Sequence, residues 1–370
     1  MRIFFLCALV LMLACTAWAQ QGTSELRGSV KDQTGAVLPG VSITARNQDS
    51  GLFRETISGE NGSFFLSGML PGRYQIEAEL PGFKRYQRAE IRLEVGKTTS
   101  VDVTLEVGNV TEEVSVTAES PIIDVSSKEV GGYIQSRELI DLPSVNRNFT
   151  GYIGLLPGVV PSISTGSFGA DSVNVNGQTV RNVNYTFDGA SNNDSFNGGN
   201  GGSQARVPIE AVQEFQLLTS QFDAEFGQAS GGIINAVSKQ GTNEWHGSAF
   251  AFYKDSAFTA KDIFVKRGNL QKPNTQEQQY GGTLGGRIIR DKAHFFGSVE
   301  RVRQDQGVTI NIPARPEFNS GEFERTKVWN FLARFDHQIN SNHTWGVRWL
   351  RETSPQFNQS SSNVTKAASE

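Results

Sequence analysis

The residues able to do covalent or metal chemistry are few. Four histidines, His246, His294, His337 and His343, all lie beyond position 245. None belongs to an HExxH pair, so the arrangement used by zinc proteases is absent. Both cysteines, Cys7 and Cys15, fall within the first fifteen residues. The remaining chain therefore offers no thiol nucleophile, disulfide or cysteine metal site. The densest polar run is ASNNDSFNGGNGGSQA at 190–205. Its glycines are not followed by Gly-Lys-Ser/Thr, so it is no phosphate cradle. Asp188, Asn192, Asn193 and Asp194 supply oxygens, but without EF-hand spacing. This composition predicts an unliganded mobile loop. No catalytic residue, cofactor or metal site is expected.

The elements around these residues are mostly short strands. With 370 residues, two or three domains are expected. Net charge is -4 and no basic block is long enough to follow a phosphate backbone, which argues against nucleic acid. Glycine and phenylalanine are frequent, at 39 and 24, while methionine is rare at 3, a balance suited to strands and turns. The N-terminal stretch has a positive Arg2, an apolar run too short to span a bilayer, and Ala17-Trp18-Ala19 before Gln20. That pattern predicts a signal peptide over 1–19.

From 24 to 107 turn signals such as Pro39-Gly40, Asn61-Gly62 and Pro71-Gly72 separate alternating runs. Val41, Ile43 and Ala45 share one face, as do Tyr74, Ile76 and Ala78, and Val101, Val103, Leu105 and Val107. Such spacing predicts a β-sandwich of about seven strands. GSVKDQTGAVLPGVSI and ENGSFFLSGMLPGRYQIEAELPGF resemble the carboxypeptidase-regulatory-like domain, which has a carbohydrate-binding-like fold. That resemblance implies no peptidase activity. A folded docking module is its plainer use, since fold alone does not confer function.

Residues 109–240 predict a small α/β domain. Ser136 is placed to cap a short helix that Pro143 ends. Asn176-Gly177 reads as a hairpin turn between two strands. GGIINAVSK reads as a fully buried strand. The run EEVSVTA alternates, which suits either a strand that a partner extends by β-addition or the first strand of the next domain.

Beyond 241 the aromatic residues recur at every second position. KVWNFLARFDHQI sets Trp329, Phe331, Ala333 and Phe335 on one face and Asn330, Arg334 and Asp336 on the other. Strands of this length and polarity suit a tilted membrane wall, aromatic toward lipid and polar toward a lumen.

Together LPSVNRNFTGYIGLLPGV, VNGQTVRNVNYTFDG and VPIEAVQEFQLLTSQFDAEFGQASGGIINAVSKQGTNEWHG resemble the plug of a TonB-dependent outer-membrane receptor, most closely the Oar-like branch. The resemblance implies a mainly β chain: a seven-stranded sandwich, an α/β plug at 109–240, and at 241–370 the first strands of an incomplete antiparallel transmembrane β-barrel. It implies a receptor in the cell outer membrane that imports an external ligand and is not an enzyme. The implied partners are the periplasmic TonB energy-coupling complex, outer-membrane lipid and an unidentified ligand such as a glycan or peptide. Glu112, Glu113, Val114, Ser115, Val116, Thr117 and Ala118 fall where that family has its TonB box. Asn192, Asn193, Asp194 and Phe196 of the long loop are the expected plug contacts to ligand. The competing readings are an adhesion or secretion-linked protein of the same architecture, or a carbohydrate-binding module. Residues 241–370 offer about five or six strands, whereas plugged transporters close with about 22, so a fragment or truncated gene that cannot insert alone is expected.

Overall fold

A computed structural model describes residues 22–108, 113–116, 130–142, 149–161, 173–193, 205–220, 227, 229–261, 263–267, 272, 274–310 and 320–357. The expected signal peptide lies outside them.

The first unit is a two-layer sandwich. Its strands are β1 (Ser24–Asp32), β2 (Ser42–Asn47), β3 (Phe53–Ile57), β4 (Ser63–Met69), β5 (Gly72–Glu79), β6 (Arg85–Leu93), β7 (Thr98–Ser100) and β8 (Val103–Leu105). One layer runs β4-β1-β7 with β8 also on β1; the other runs β3-β2-β5-β6 and continues into β9 (Glu113–Val116). The period-two faces become the core: Leu26, Val41, Ile43, Ile76, Leu93 and Val103 are buried between the layers. Val107 leaves this pattern and is 73% exposed, because the chain turns away after an isolated bridge to Phe83. At the Asn61-Gly62 turn Gly62 has φ 71°, and an added Cβ would meet the Val30 carbonyl at 2.7 Å, so only glycine fits.

The second unit is built on one mixed sheet. It contains β10 (Val130–Gln135), helix α1 (Ser136–Asp141), β11 (Val159–Pro161), β12 (Val173–Val175), β13 (Val183–Phe187), β14 (Ala190–Ser191), β15 (Val212–Ser220) and β16 (Gly232–Ser238). The sheet order is β10-β15-β16-β13-β14, with β11 and β12 paired separately. All seven residues of β16 are buried, as expected for a strand with neighbours on both edges and cover on both faces. Gly232 is required there: a Cβ would meet the Val175 side chain at 2.8 Å and the Leu218 carbonyl at 3.0 Å. Two local expectations are corrected. The helix cap is Gln135 rather than Ser136, its backbone N–H held by the Glu138 carboxylate at 3.0 Å. Asn176-Gly177 does form a turn, with both φ positive, yet β12 and β13 do not pair as a hairpin. A 3-10 turn at Val180–Asn182 diverts the chain, and β13 instead runs parallel to β16, where its apolar residues are buried.

The third unit is a sheet of long strands: β17 (His246–Asp255), β18 (Gln276–Ile289), β19 (Ala293–Ile310), β20 (Ser320–Gln338), β21 (Thr344–Thr353) and β22 (Gln356–Phe357). Helix α2 (Ile263–Arg267) lies in the connection after β17. The sheet is antiparallel and open, in the order β17-β18-β19-β20-β21 with β22 on β20. Its exposed face carries Trp245, Leu284, Val299, Val347 and Trp349. Its other face packs on the second unit: Phe296 and Leu332 join Phe215, Leu217, Ile234 and Ala236 in one apolar cluster. Short turns link β18 to β19 and β20 to β21, whereas the links after β17 and β19 are long. In a transmembrane wall short turns mark the periplasmic end. β19 and β20, at 18 and 19 residues, are longer than the about 9–11 residues with which a strand crosses a bilayer. Among the described residues no helix is long and apolar enough to cross a membrane, which says nothing of strands.

Candidate functional site

The face of the wall opposite its aromatic residues carries charge, and alternation puts that charge against the plug. Arg334 is 5% exposed. Its Nη1 donates to the Ser238 carbonyl at 2.8 Å and lies 3.2 Å from Ser238 Oγ. Its Nε and Nη2 reach the two oxygens of Asp336 at 2.6 and 3.2 Å. Ser238 ends β16, and its N–H and hydroxyl donate to Asp188 at 2.9 and 2.7 Å. Arg348, one strand over from Arg334, pairs with Asp188 at 3.4 Å and Asp336 at 3.7 Å. Two arginines and two aspartates thus form a formally neutral group joining plug and wall, buried except at Arg348, whose side chain is 19% exposed. Asp188 sits in the turn after β13 at φ 50°, a conformation that Asp tolerates better than most residues.

A second contact has the opposite polarity. Arg206 of the plug is 7% exposed, and its backbone N–H donates to wall Glu352 at 2.6 Å. Its guanidinium is close enough to both Glu277 and Glu352 to attract their carboxylates. Neighbouring Glu300 is buried and satisfied by Gln279 at 2.6 Å and Asn330 at 3.2 Å. The plug therefore offers an anion at one place and a cation at the other, and the wall answers each. Such paired contacts fix register as well as attraction.

The sandwich closes the short-turn end. The Asp49 carbonyl accepts from Asn243 N–H at 2.8 Å. Asn243 in turn holds the β18–β19 turn through Asp291, at 2.6 Å and 2.9 Å. Gln338 brackets the Phe53 backbone, accepting from its N–H at 3.0 Å and donating to its carbonyl at 2.5 Å. Arg54 donates to the Asn342 carbonyl at 3.0 Å in the β20–β21 turn. On the plug side Val95 N–H donates to Glu214 at 2.5 Å.

Glu214 is 2% exposed, and this burial pushes its carboxyl up to about 7, with Glu94 adding repulsion and Val95 N–H, Arg92 and Lys97 opposing. A carboxyl raised from 4.5 favours the folded state with Glu214 protonated. That contribution is fully present below pH 4.5 and is lost as pH rises through about 7. The shift corresponds to about 3 kcal/mol. Folding stability of the full-length protein, followed by denaturant unfolding, should fall between pH 5 and pH 8. Glu214→Gln should flatten that dependence; an unchanged pH profile in the variant would assign it elsewhere.

The sequence-predicted residues have definite places. Of the seven EEVSVTA residues, Glu113–Val116 are described and form β9, parallel to β6 in the register Arg85↔Glu113 to Arg88↔Val116. Glu112, Thr117 and Ala118 lie outside the described residues. Asn192 and Asn193 stand at the mouth of the long loop. Asn192 exchanges two hydrogen bonds of 3.0 Å with the Ala205 backbone. Asn193 accepts from Tyr185 N–H at 2.8 Å and donates to Asn184 at 2.7 Å. Both amides are engaged in closing the loop base. Asp194 and Phe196 lie outside the described residues. Among the described residues no three His, Cys, Asp or Glu are placed to hold a metal ion.

Arg334 and Asp336 could have been found from sequence, as charges on the face opposite the aromatics. Asp188, Arg206 and Glu214 carried no such signal, because each draws its meaning from a unit distant in sequence.

Comparison with known proteins adds the following. The family model of the carboxypeptidase regulatory-like domain matches residues 25–106. That of the TonB-dependent receptor plug domain matches 128–233, and that of an outer membrane beta barrel domain matches 237–328. The chain is 31% identical to the TonB-dependent transporter Oar of Myxococcus xanthus over 77% of this chain and 27% of the relative. It is 28% identical to the probable TonB-dependent siderophore receptor PirA of Acinetobacter baumannii over 54% of this chain and 26% of the relative. The chain thus spans about a quarter of the length of these relatives. Among solved structures, the outer membrane transporter YddB from Escherichia coli matches with TM-score 0.52 at 15% identity, over 61% of this chain and 33% of that one, a likeness of fold.

Proposed function

We propose, since this chain belongs to the TonB-dependent receptors of the cell outer membrane, that the full-length protein binds an external ligand and imports it with energy drawn through TonB. The family is one of transporters, not enzymes. The observation that carries this reading is the plug sheet seated on the inward face of the wall by two charge contacts of opposite polarity. A ligand crossing this wall must displace or rearrange the plug, and charge pairs that hold without covalent bonds permit that. The polar run at 190–205 is amide-rich, a composition suited to a polar ligand, a glycan or peptide, because unpaired buried amides are costly. Asp194 and Phe196, rather than the engaged Asn192 and Asn193, are then its foremost contacts.

The coupling strand of this reading is the segment 112–118. As the last strand of the sandwich sheet, β9 leaves one edge for a further strand to pair with. Successive residues of a strand direct their backbone groups to opposite edges, so Val114→Pro and Ser115→Pro remove donors on different sides. In the full-length receptor one of the two should abolish uptake at normal surface expression. Full uptake by both variants would move the coupling site elsewhere.

A further inference from the structure

One turn of the sandwich reaches the charge contact between plug and wall. Leu70-Pro71 links β4 to β5, and the Tyr74 hydroxyl holds it by donating to the Leu70 carbonyl at 2.8 Å. From the plug side Gln240 donates to the Pro71 carbonyl at 3.4 Å. Leu70 and Pro71 cover Asp188, Ser238, Arg334 and Arg348, leaving a gap of only about 10 Å³. That is at or below the volume one water needs. Beyond Leu70 is a chamber of about 60 Å³ lined by Phe53, Arg54, Tyr74, Asp336 and Gln338, polar and roomy enough for a few waters. Leu70 and Gln240 line both spaces. They form the partition between chamber and charge contact, and Leu70 is its apolar half.

Parting a charge pair costs far more where water cannot reach the separated ions. A dry pair is also screened less by salt than a wet one. Leu70 belongs to the sandwich, whereas the four charges belong to plug and wall and bond one another there. Lifting the sandwich therefore removes the partition without first breaking those bonds. Because β9 lies along β6, a pull on residues 113–116 loads the sandwich.

We infer that Leu70 is a positioning residue for plug release: with the sandwich seated it keeps water from Asp188 and Arg334, and when the sandwich lifts, water enters the contact and the plug comes free. The release step rests on the transport reading above, whereas the partition is tested without any uptake assay. The Ser238 amide, which donates to the Asp188 carboxylate at 2.9 Å, reports the contact. Its hydrogen exchange in the full-length receptor, resolved by fragmentation mass spectrometry, should be slow and indifferent to salt. Leu70→Ala joins the two spaces and should speed that exchange at least about tenfold, with a further rise as salt is added. Amides of β2 and β5 should stay protected; if they do not, Leu70→Val carries the same test with a smaller cut. Leu70→Met, of similar volume, should exchange as the wild type does. Phe65→Ser, on the exposed face of the sandwich, should do so too. Unchanged Ser238 exchange in a folded Leu70 variant, or a faster exchange indifferent to salt, would overturn the partition. The expected exchange rates in a receptor that carries no ligand would overturn the transport reading and the release step, and leave the partition standing.

Discussion

Asp188→Ala in the full-length receptor should detach the plug from its wall at one of its two charge contacts, at a cost of about 3–5 kcal/mol. The reason is what remains behind. Asp188 pairs with Arg348 and receives both donors of Ser238, which itself binds Arg334. Without it, the buried Arg334 and the partly buried Arg348 share the single carboxylate of Asp336. Asp188→Asn should cost less, since an amide keeps a hydrogen bond to Ser238 while losing the charge. Adding Arg348→Ala to Asp188→Ala should recover part of the loss, because the uncompensated cation goes too, and the departure from additivity measures the pair. Entry of a large antibiotic normally excluded by the outer membrane reports the loosened plug in cells. Denaturant unfolding of the purified receptor reports the energy. A loss within about 0.5 kcal/mol, as at ordinary surface sites, would show that the plug is held by its apolar contacts alone.

Fixing the sandwich to the wall should stop uptake completely while leaving external ligand binding intact. Arg54 donates to the Asn342 carbonyl, so cysteines at these two positions lie within reach of a short cleavable bis-maleimide. Cys7 and Cys15 precede the sandwich and leave with the predicted leader, and any cysteine elsewhere in the full-length receptor is replaced by serine first. The sandwich bonds the plug at Glu214 and the β20–β21 end of the wall at Gln338 and Asn342. The wall contacts are polar and partly exposed, so they are weak enough to open under load. Cleaving the linker should restore uptake. Undiminished uptake in fully cross-linked receptor would show that the ligand's route avoids the sandwich.

Much of this architecture is written in local patterns. Alternation with period two is a property of neighbouring residues, so it places Trp329, Phe331 and Phe335 on one face of β20 and Arg334 and Asp336 on the other before any partner is known. The seven buried residues of β16 read as a mostly apolar run, with Asn235 and Ser238 its polar members, because a strand covered on both faces has no exposed side to show. Turn chemistry such as Asn61-Gly62 is equally local, because φ > 0 is a demand on one residue.

Tertiary structure alone decided which faces meet. Asn176-Gly177 makes its turn, yet β13 leaves β12 for a parallel place between β16 and β14, where its apolar residues are buried. The strand β9 alternates in a way that fits several partners, and the free edge of β6 is the one it takes. Asn192 and Asn193 have the composition of a solvated loop, but two backbone segments pass close enough for their amides to bind. Asp188 and Arg348 are 160 positions apart, and neither is exceptional in its own neighbourhood. Their pairing exists because the plug core and the wall share one apolar cluster through Phe296 and Leu332. That burial removes the water that would otherwise satisfy the charges, so they are stable only where they find each other. A local pattern records which side of a strand is dry; it holds no record of what covers that side.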